Sequence, residues 1–235
     1  MFVSGIVREF GELVSEAEGQ VIEGIRDREI VTEPSATDRF LGALEIVTRV
    51  HAQESGILFR ARTLRDRGWN APEKKFGADF CGILNVQLGT YSQSKGVLVQ
   101  AKWESPGFQV HRGRGSLITV AFSDGREMQR CQDQSEKMLM VTPDSYVMIC
   151  SGDGFAVVPA SSVIGLSSDG ELYAKHLDRF FKEFLMCFVG DPRLRAYDPK
   201  SLEIVRKESN ARFAFLLEVL KSEQMRTMKV RYPGR

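Results

Sequence analysis

The spacing of apolar side chains predicts helices near both ends of the chain, with strands and one further helix between them. In the first 25 residues apolar side chains recur about every 3.6 positions, and acidic residues occupy the opposite face. A second amphipathic stretch begins at Pro34, a residue suited to a first helical turn, and runs to Val50. The segment 55–65 is compatible with either a helix or a loop. The predicted helices are 2–25, 34–50, 126–140, 177–188 and 202–221.

Alternation of apolar and polar residues predicts two β-hairpins. Residues 78–88 alternate in this way, and after a turn at 89–95 the apolar strand 96–103 follows. This turn is too short for a helical crossover, so the two strands should pair antiparallel. The order of elements indicates a mixed α/β or α+β domain with an added helical tail. The other predicted segments are strands at 116–123, 146–150 and 155–159 and a loop over 104–115.

Charge and composition limit the partners of the protein without selecting one. The chain has 235 residues, with 32 Lys and Arg against 31 Asp and Glu, so any nucleic-acid surface must come from local clustering of charge. Its four cysteines include no CxxC pair, which favours reduced thiols over a zinc site or a disulfide scaffold. No window approaches the ~18 consecutive apolar residues that a membrane span needs. We therefore expect a cytoplasmic protein that does not cross a membrane.

Polar residues lie at the open end of the first predicted hairpin, opposite its turn. Asp79 opens one strand, and Gln100 and Lys102 end the other on a shared face, with Ala101 pointing the other way. Antiparallel pairing should therefore bring the acid, the amide and the amine together. The Asp79 carboxylate, the Gln100 side-chain carbonyl and the Ala101 backbone carbonyl are oxygen ligands of the kind that Mg²⁺ prefers. Lys102 would orient or help to deprotonate a water molecule and offset charge on a phosphate, as phosphodiester hydrolysis requires.

The string Gly77-Ala78-Asp79, followed by an apolar strand and then by Gln100-Ala101-Lys102, resembles the PD-(D/E)XK restriction-endonuclease-like superfamily. The Gln-x-Lys ending resembles its Mrr-like branch, in which glutamine replaces the usual acid. The resemblance implies a restriction-endonuclease-like core with helices on both faces of a mixed sheet. The regions expected from it are an N-terminal helix (1–28), a nuclease core (29–165) and a C-terminal helical extension (166–235) packed on the core.

The resemblance implies an enzyme that cuts DNA with Mg²⁺ or Mn²⁺. Members of the superfamily commonly carry an acid on the first core helix, and Glu33 and Glu45 are the first candidates here, followed by Glu54 and Glu73. Enzymes of this kind that cut both strands usually act as dimers. The expected partners are therefore double-stranded DNA and a second copy of the chain, together with an activating protein or ligand. Defence against foreign DNA is the biological setting that the resemblance suggests.

Residues outside the hairpin add further candidates. Arg112 and Arg114 lie in a glycine-containing loop and would suit phosphate contacts, although a solvated loop has the same composition. Gln134, on the helix that follows, would border the site or lie on a solvated helix face. The alternative to a nuclease is a catalytically inactive domain of the same fold that binds nucleic acid or protein.

Overall fold

The structure is a computed structural model that describes residues 4–50, 57–65, 78–113, 117–123, 125–166 and 169–221. Its helices are α1 (Ser4–Arg26), α2 (Glu33–Val50), α3 (Arg126–Val141), α4 (Ala160–Ile164), α5 (Leu177–Leu185) and α6 (Pro199–Glu208). Its strands are β1 (Ile57–Arg65), β2 (Phe80–Leu88), β3 (Tyr91–Trp103), β4 (Phe108–Arg112), β5 (Ile118–Phe122), β6 (Ser145–Ser151), β7 (Gly154–Pro159), β8 (Gly170–His176) and β9 (Phe213–Lys221). Within these ranges, no helix has the length and hydropathy that a membrane crossing requires.

In the described part of the chain, the nine strands form one mixed sheet in the order β1-β9-β2-β3-β6-β7-β8-β5-β4. The hairpin of β2 and β3 is antiparallel, whereas β9 runs parallel to β2 and β6 runs parallel to β3. The turn between β2 and β3 contains only Gly89 and Thr90, fewer residues than the predicted 89–95. Gly89 has a φ of 64°, which glycine adopts without strain. The predicted mixed α/β sheet is confirmed.

Helices cover both faces of the sheet, as expected. On one face α1, α2 and α5 enclose a core in which Phe181 contacts Phe10, Phe40 and Phe215, with ring centroids between 5.7 and 6.5 Å apart. On the other face α3, α4 and α6 cover smaller apolar clusters. Because the phenylalanine core draws on the N-terminal helix, the central region and the C-terminal region, these regions pack together as one unit.

The C-terminal region corrects one prediction from the sequence. The helix predicted over 202–221 is wrong beyond Glu208, where α6 ends, because β9 follows it. Phe213–Leu220 is buried throughout, and β9 lies between β1 and β2. A strand covered on both faces carries apolar residues at successive positions, so it lacks the alternation that reveals a half-exposed strand.

Other strands also lie where helix or loop was expected. β8 and β9 belong to the sheet, so the helical extension expected over 166–235 is in its described part a mixture of helices and strands. β4 falls inside the loop predicted over 104–115, and β1 covers residues 57–65 of the segment that was open between helix and loop. All of these strands extend the sheet on either side of the predicted hairpin, which lies near its middle.

Gly96, inside β3, lies where a side chain does not fit. A Cβ at this position would be 2.5 Å from Ile83 Cδ1, 2.8 Å from Leu194 Cβ and 2.9 Å from Leu194 O. We expect Gly96→Ala to lower the free energy of unfolding by about 2 kcal/mol, because the Leu194 backbone must move. Gly19, in α1, has open space around it, so Gly19→Ala should instead raise stability by up to ~1 kcal/mol. Urea denaturation measures both effects, and effects of the same sign would contradict the close packing on β3.

Candidate functional site

The backbone of Asp79 is held between two strands at one end of the sheet. Its N–H donates to Val99 O at 2.8 Å, and its carbonyl accepts from Phe213 N at 2.9 Å. Because β2 begins only at Phe80, β3 continues past it, and residues 100–103 pair with β6 alone. Asp79 therefore lies beside the C-terminal end of β3, where the predicted site residues occur.

The structure brings Asp79, Gln100 and Ala101 into direct contact. Asp79 Oδ2 accepts hydrogen bonds from Ala101 N at 2.8 Å and from Gln100 Nε2. Gln100 Nε2 also donates to Ala101 O at 2.9 Å. The contact between Asp79 and Gln100 follows from the antiparallel hairpin, but the amide nitrogen of Gln100, and not the oxygen expected from the sequence, faces the carboxylate and the carbonyl.

Lys102 points to the face of the sheet that α3 covers. Val99 and Ala101 belong to the core on the opposite face, so alternation along β3 directs Gln100 and Lys102 towards α3. Lys102 is only 7% exposed, and its Nζ donates to Gln134 Oε1 at 2.6 Å. Among the described residues no ion pair joins Lys102 to a carboxylate. The ammonium is therefore positioned by a neutral amide and retains further N–H donors.

Of the two acids predicted on α2, the structure places Glu33 at the site. The Thr32 hydroxyl accepts from Ser35 N at 3.3 Å and caps the helix, which leaves Glu33 in its first turn. From there Glu33 Oε1 accepts from Trp103 N at 3.0 Å, directly after Lys102. Two helices on opposite faces, α2 and α3, therefore each contribute a side chain to the end of β3.

Glu45 does not join this group. The rise of an α-helix separates it from residue 33 by about 18 Å along α2. Its Oε1 accepts from Arg49 Nη2 at 2.9 Å on the surface of the same helix. The structure thus distinguishes between the first two candidates, whereas Glu54 and Glu73 lie outside the described residues.

The electrostatics of the site bring the titration of Asp79 close to neutral pH. The pKa of Asp79 is raised to about 6, chiefly by burial and also by the charge of Glu33. The hydrogen bond from Ala101 N and the charges of Lys102 and Arg212 act in the opposite direction and lower it. A carboxyl group with a pKa this high, next to a buried lysine, is typical of a functional site.

The atoms present fit a hard divalent cation. Asp79 Oδ2 and Ala101 O both accept from Gln100 Nε2, so two oxygens already converge on the position of one polar atom. A half-turn of the Gln100 amide exchanges its nitrogen for its oxygen, which would give carboxylate, carbonyl and amide oxygens as ligands. No group of three or more His, Cys, Asp or Glu side chains suited to a metal occurs among the described residues. The candidate ligands are therefore one carboxylate, one backbone carbonyl and one side-chain amide, and not a cluster of carboxylates.

The arginines predicted to contact nucleic acid fall partly outside the described residues. Arg114 is not described. Arg112 is exposed at the end of β4, and a Cβ at Gly154 would lie 2.5 Å from its Nη2. Its charge also lowers the pKa of Glu18, which burial raises. Arg112 therefore lies next to an acid of α1, and its contact with DNA stays a prediction.

Arg212 is a residue of this site that the sequence patterns did not reveal. It directly precedes β9, and its charge acts on Asp79. It was missed because residues 202–221 were predicted as one helix, which would have placed Arg212 on a distant helix face. The signal that was available is the unbroken apolar run Phe213–Leu217, which is typical of a strand buried on both faces.

Comparison of the chain with protein-family models, with curated proteins and with solved structures finds no match in any of the three. The site is therefore interpreted from its own geometry and from the sequence pattern that Asp79, Gln100 and Lys102 carry.

Proposed function

We propose that the protein is a metal-dependent endonuclease that hydrolyses phosphodiester bonds of DNA, with Mg²⁺ or Mn²⁺ as its cofactor. The observation that carries this proposal is the contact of Asp79, Gln100 and the Ala101 carbonyl near a buried Lys102. A buried ammonium that is hydrogen-bonded to a neutral amide is suited to an anionic substrate. The same residues carry the resemblance to the PD-(D/E)XK superfamily.

Each residue has a role that follows from its position. Asp79 and the Ala101 carbonyl would hold the cation, with Gln100 as a third ligand, and Glu33 adds negative charge from α2. When bound, a divalent cation supplies positive charge that polarises a phosphodiester and activates a water molecule. Lys102 would donate to the phosphate or the water and offset the charge that builds up in the transition state.

Gln134 acts on Lys102 rather than on the substrate. Its Oε1 accepts from Nζ at 2.6 Å and fixes the ammonium at the end of a rigid strand. A group that is already oriented needs no further ordering during the reaction, which is the usual advantage of a preorganised site. Gln134 is therefore proposed as a positioning residue.

Double-stranded DNA is the proposed substrate and the cytoplasm the proposed location. The exposed Arg112, on a strand that leads away from the site, supports a contact with a nucleic-acid backbone. A homodimer that cuts both strands, activation by a protein or ligand, and a role in defence against foreign DNA are supported only by the resemblance.

One observation favours a second candidate, a catalytically inactive domain that binds nucleic acid or protein. The hydrogen bonds of Gln100 Nε2 to Asp79 and to Ala101 O satisfy all three groups without a cation. Glutamine also brings one negative charge fewer than an acid would, which weakens the binding of a divalent cation. A binding module would retain this closed network and would not cleave DNA under any metal condition.

Nicking of supercoiled plasmid by the purified full chain tests the proposal. We expect conversion to open-circular and linear DNA with Mg²⁺ or Mn²⁺ and none with EDTA. If neither metal supports cleavage of plasmid, linear duplex or single-stranded DNA, the inactive binding module is the better interpretation.

The two acids of α2 provide a matched pair for the same assay. Glu33→Gln should reduce cleavage by about 10²-fold, because it removes a negative charge beside Asp79 and Lys102. Glu45→Gln should leave the rate unchanged, because Glu45 contacts Arg49 on the helix surface. Equal losses in the two variants would contradict the placement of Glu33 in the active site.

A further inference from the structure

Arg212 lies beside Asp79 because β9 is inserted next to β2. The two strands run parallel, with Phe80 opposite Phe213, and Phe213 N donates to Asp79 O at 2.9 Å. Asp79 and Arg212 therefore occupy equivalent positions, each one residue before its strand. Lys102 belongs to β3, on the other side of β2. The acid thus stands between two cations that belong to different strands.

The Arg212 side chain is exposed, and its N–H groups are not engaged by other described residues. Its guanidinium carbon lies 5.4 Å from the centroid of the Phe213 ring, which supports the planar group by its face. In the ranges that the structure describes, Arg212 makes no hydrogen bond or ion pair, whereas Arg49 and Arg193 each pair with a carboxylate. The N–H donors of Arg212 are therefore available to a planar or tetrahedral anion.

The balance of charge at the site gives a second argument. Asp79 and Glu33 bring two negative charges to a position where the proposed substrate is itself a polyanion. Lys102 and Arg212 both lower the pKa of Asp79, so both positive charges act on this carboxylate. Two cations offset two acids, and a phosphodiester can then approach without net repulsion.

The geometry points to Arg212 as a phosphate-binding residue of the proposed nuclease, on the side of Asp79 that faces away from Lys102. This inference rests on the proposed function. Neighbouring strands lie about 4.8 Å apart, so β9 and β3 are about 10 Å apart and their two cations would contact different phosphates of one DNA strand. Arg212 would thus contribute to binding and register of the substrate more than to the chemical step.

Binding of a fluorescein-labelled DNA duplex in EDTA, followed by anisotropy over a series of KCl concentrations, tests the inference without any cleavage. Arg212→Gln should weaken binding about tenfold and reduce the slope of log K against log[KCl] by about 0.9, the value for one lost phosphate contact. Arg212→Lys should restore most of the slope because it keeps the charge. Arg49→Gln removes an arginine that is also exposed to solvent but lies on α2, and it should leave both quantities unchanged.

The outcomes separate this inference from the proposed function. The inference is overturned if Arg212→Gln has the slope and affinity of Arg49→Gln, or if the wild-type protein does not bind the duplex. Binding that depends on Arg212, without cleavage in Mg²⁺ or Mn²⁺, would uphold the phosphate contact and refute the nuclease. In a cleaving enzyme, Arg212→Gln should raise KM at least fivefold and change kcat less than twofold, a split that a loss of folding would not produce.

Discussion

Lys102→Met is expected to reduce metal-dependent DNA cleavage by about 10³-fold or more while the protein remains folded. The ammonium is only 7% exposed and is held by Gln134, so its removal leaves this buried position without a positive charge. Methionine fills a similar volume, and Gln134 is half-buried and can turn its amide towards solvent. Single-turnover cleavage of a labelled duplex at saturating enzyme measures the loss directly.

The matched control for this variant is Lys137→Met, which removes an exposed lysine from the same helix that carries Gln134. Its cleavage rate should stay within about twofold of wild type, because a solvated surface charge contributes little at a distance. A Lys102→Met protein that melts cooperatively and cuts at the wild-type rate would remove Lys102 from the mechanism and leave the proposed nuclease without its principal cation.

The contact of Asp79 with Gln100, and the position of Lys102 on the same face of β3, could be predicted because they depend on local rules alone. A short turn forces β2 and β3 to pair antiparallel, and the period of two along β3 puts Gln100 and Lys102 on one face. These two constraints place the start of one strand beside the end of the other, whatever the rest of the chain does. The hairpin is therefore the part of the site for which sequence reasoning was sufficient.

The choice between Glu33 and Glu45 needed information that the sequence does not contain. Both acids lie on the predicted helix 34–50 or at its start, and helical periodicity does not tell which end of a helix approaches a strand. The direction of α2 over the sheet decides it, because the first turn of α2 reaches the N–H of Trp103. That direction depends on long-range packing of α2 against α1 and β1.

The position of Arg212 depends on the least predictable element of the fold. β9 pairs with β1 and with β2, which are distant in sequence, and its residues are buried on both faces. Neither its strand character nor its partners follow from local periodicity, since Leu, Ala and Glu within it also favour helix. A residue that enters a site through such a strand becomes visible only when the sheet order is known.

Asp79→Asn is expected to stabilise the protein at pH 8 while it removes cleavage. Burial and the charge of Glu33 raise the pKa of Asp79 from 3.8 to about 6, so the folded protein holds this proton more tightly than the unfolded chain does. The ionised carboxylate therefore destabilises the fold above pH 6, and this cost disappears as the pH falls below about 4. Asparagine can still accept the Ala101 N–H, and it should raise the free energy of unfolding by about 2 kcal/mol at pH 8 in EDTA.

Denaturation of wild type and Asp79→Asn between pH 4 and pH 8 in EDTA measures this difference, which should be largest at pH 8 and close to zero at pH 4. Asp191 supplies a control of opposite sign, because hydrogen bonds from Arg193 hold the pKa of its carboxyl at about 2. Asp191→Asn should therefore destabilise the fold at pH 8. If Asp79→Asn also destabilises it there, the carboxylate contributes net stability to the fold, and a structural role would be enough to explain the acid at this position. An acid that weakens the fold at neutral pH, yet is kept beside a buried lysine, is what the requirements of a reaction would produce.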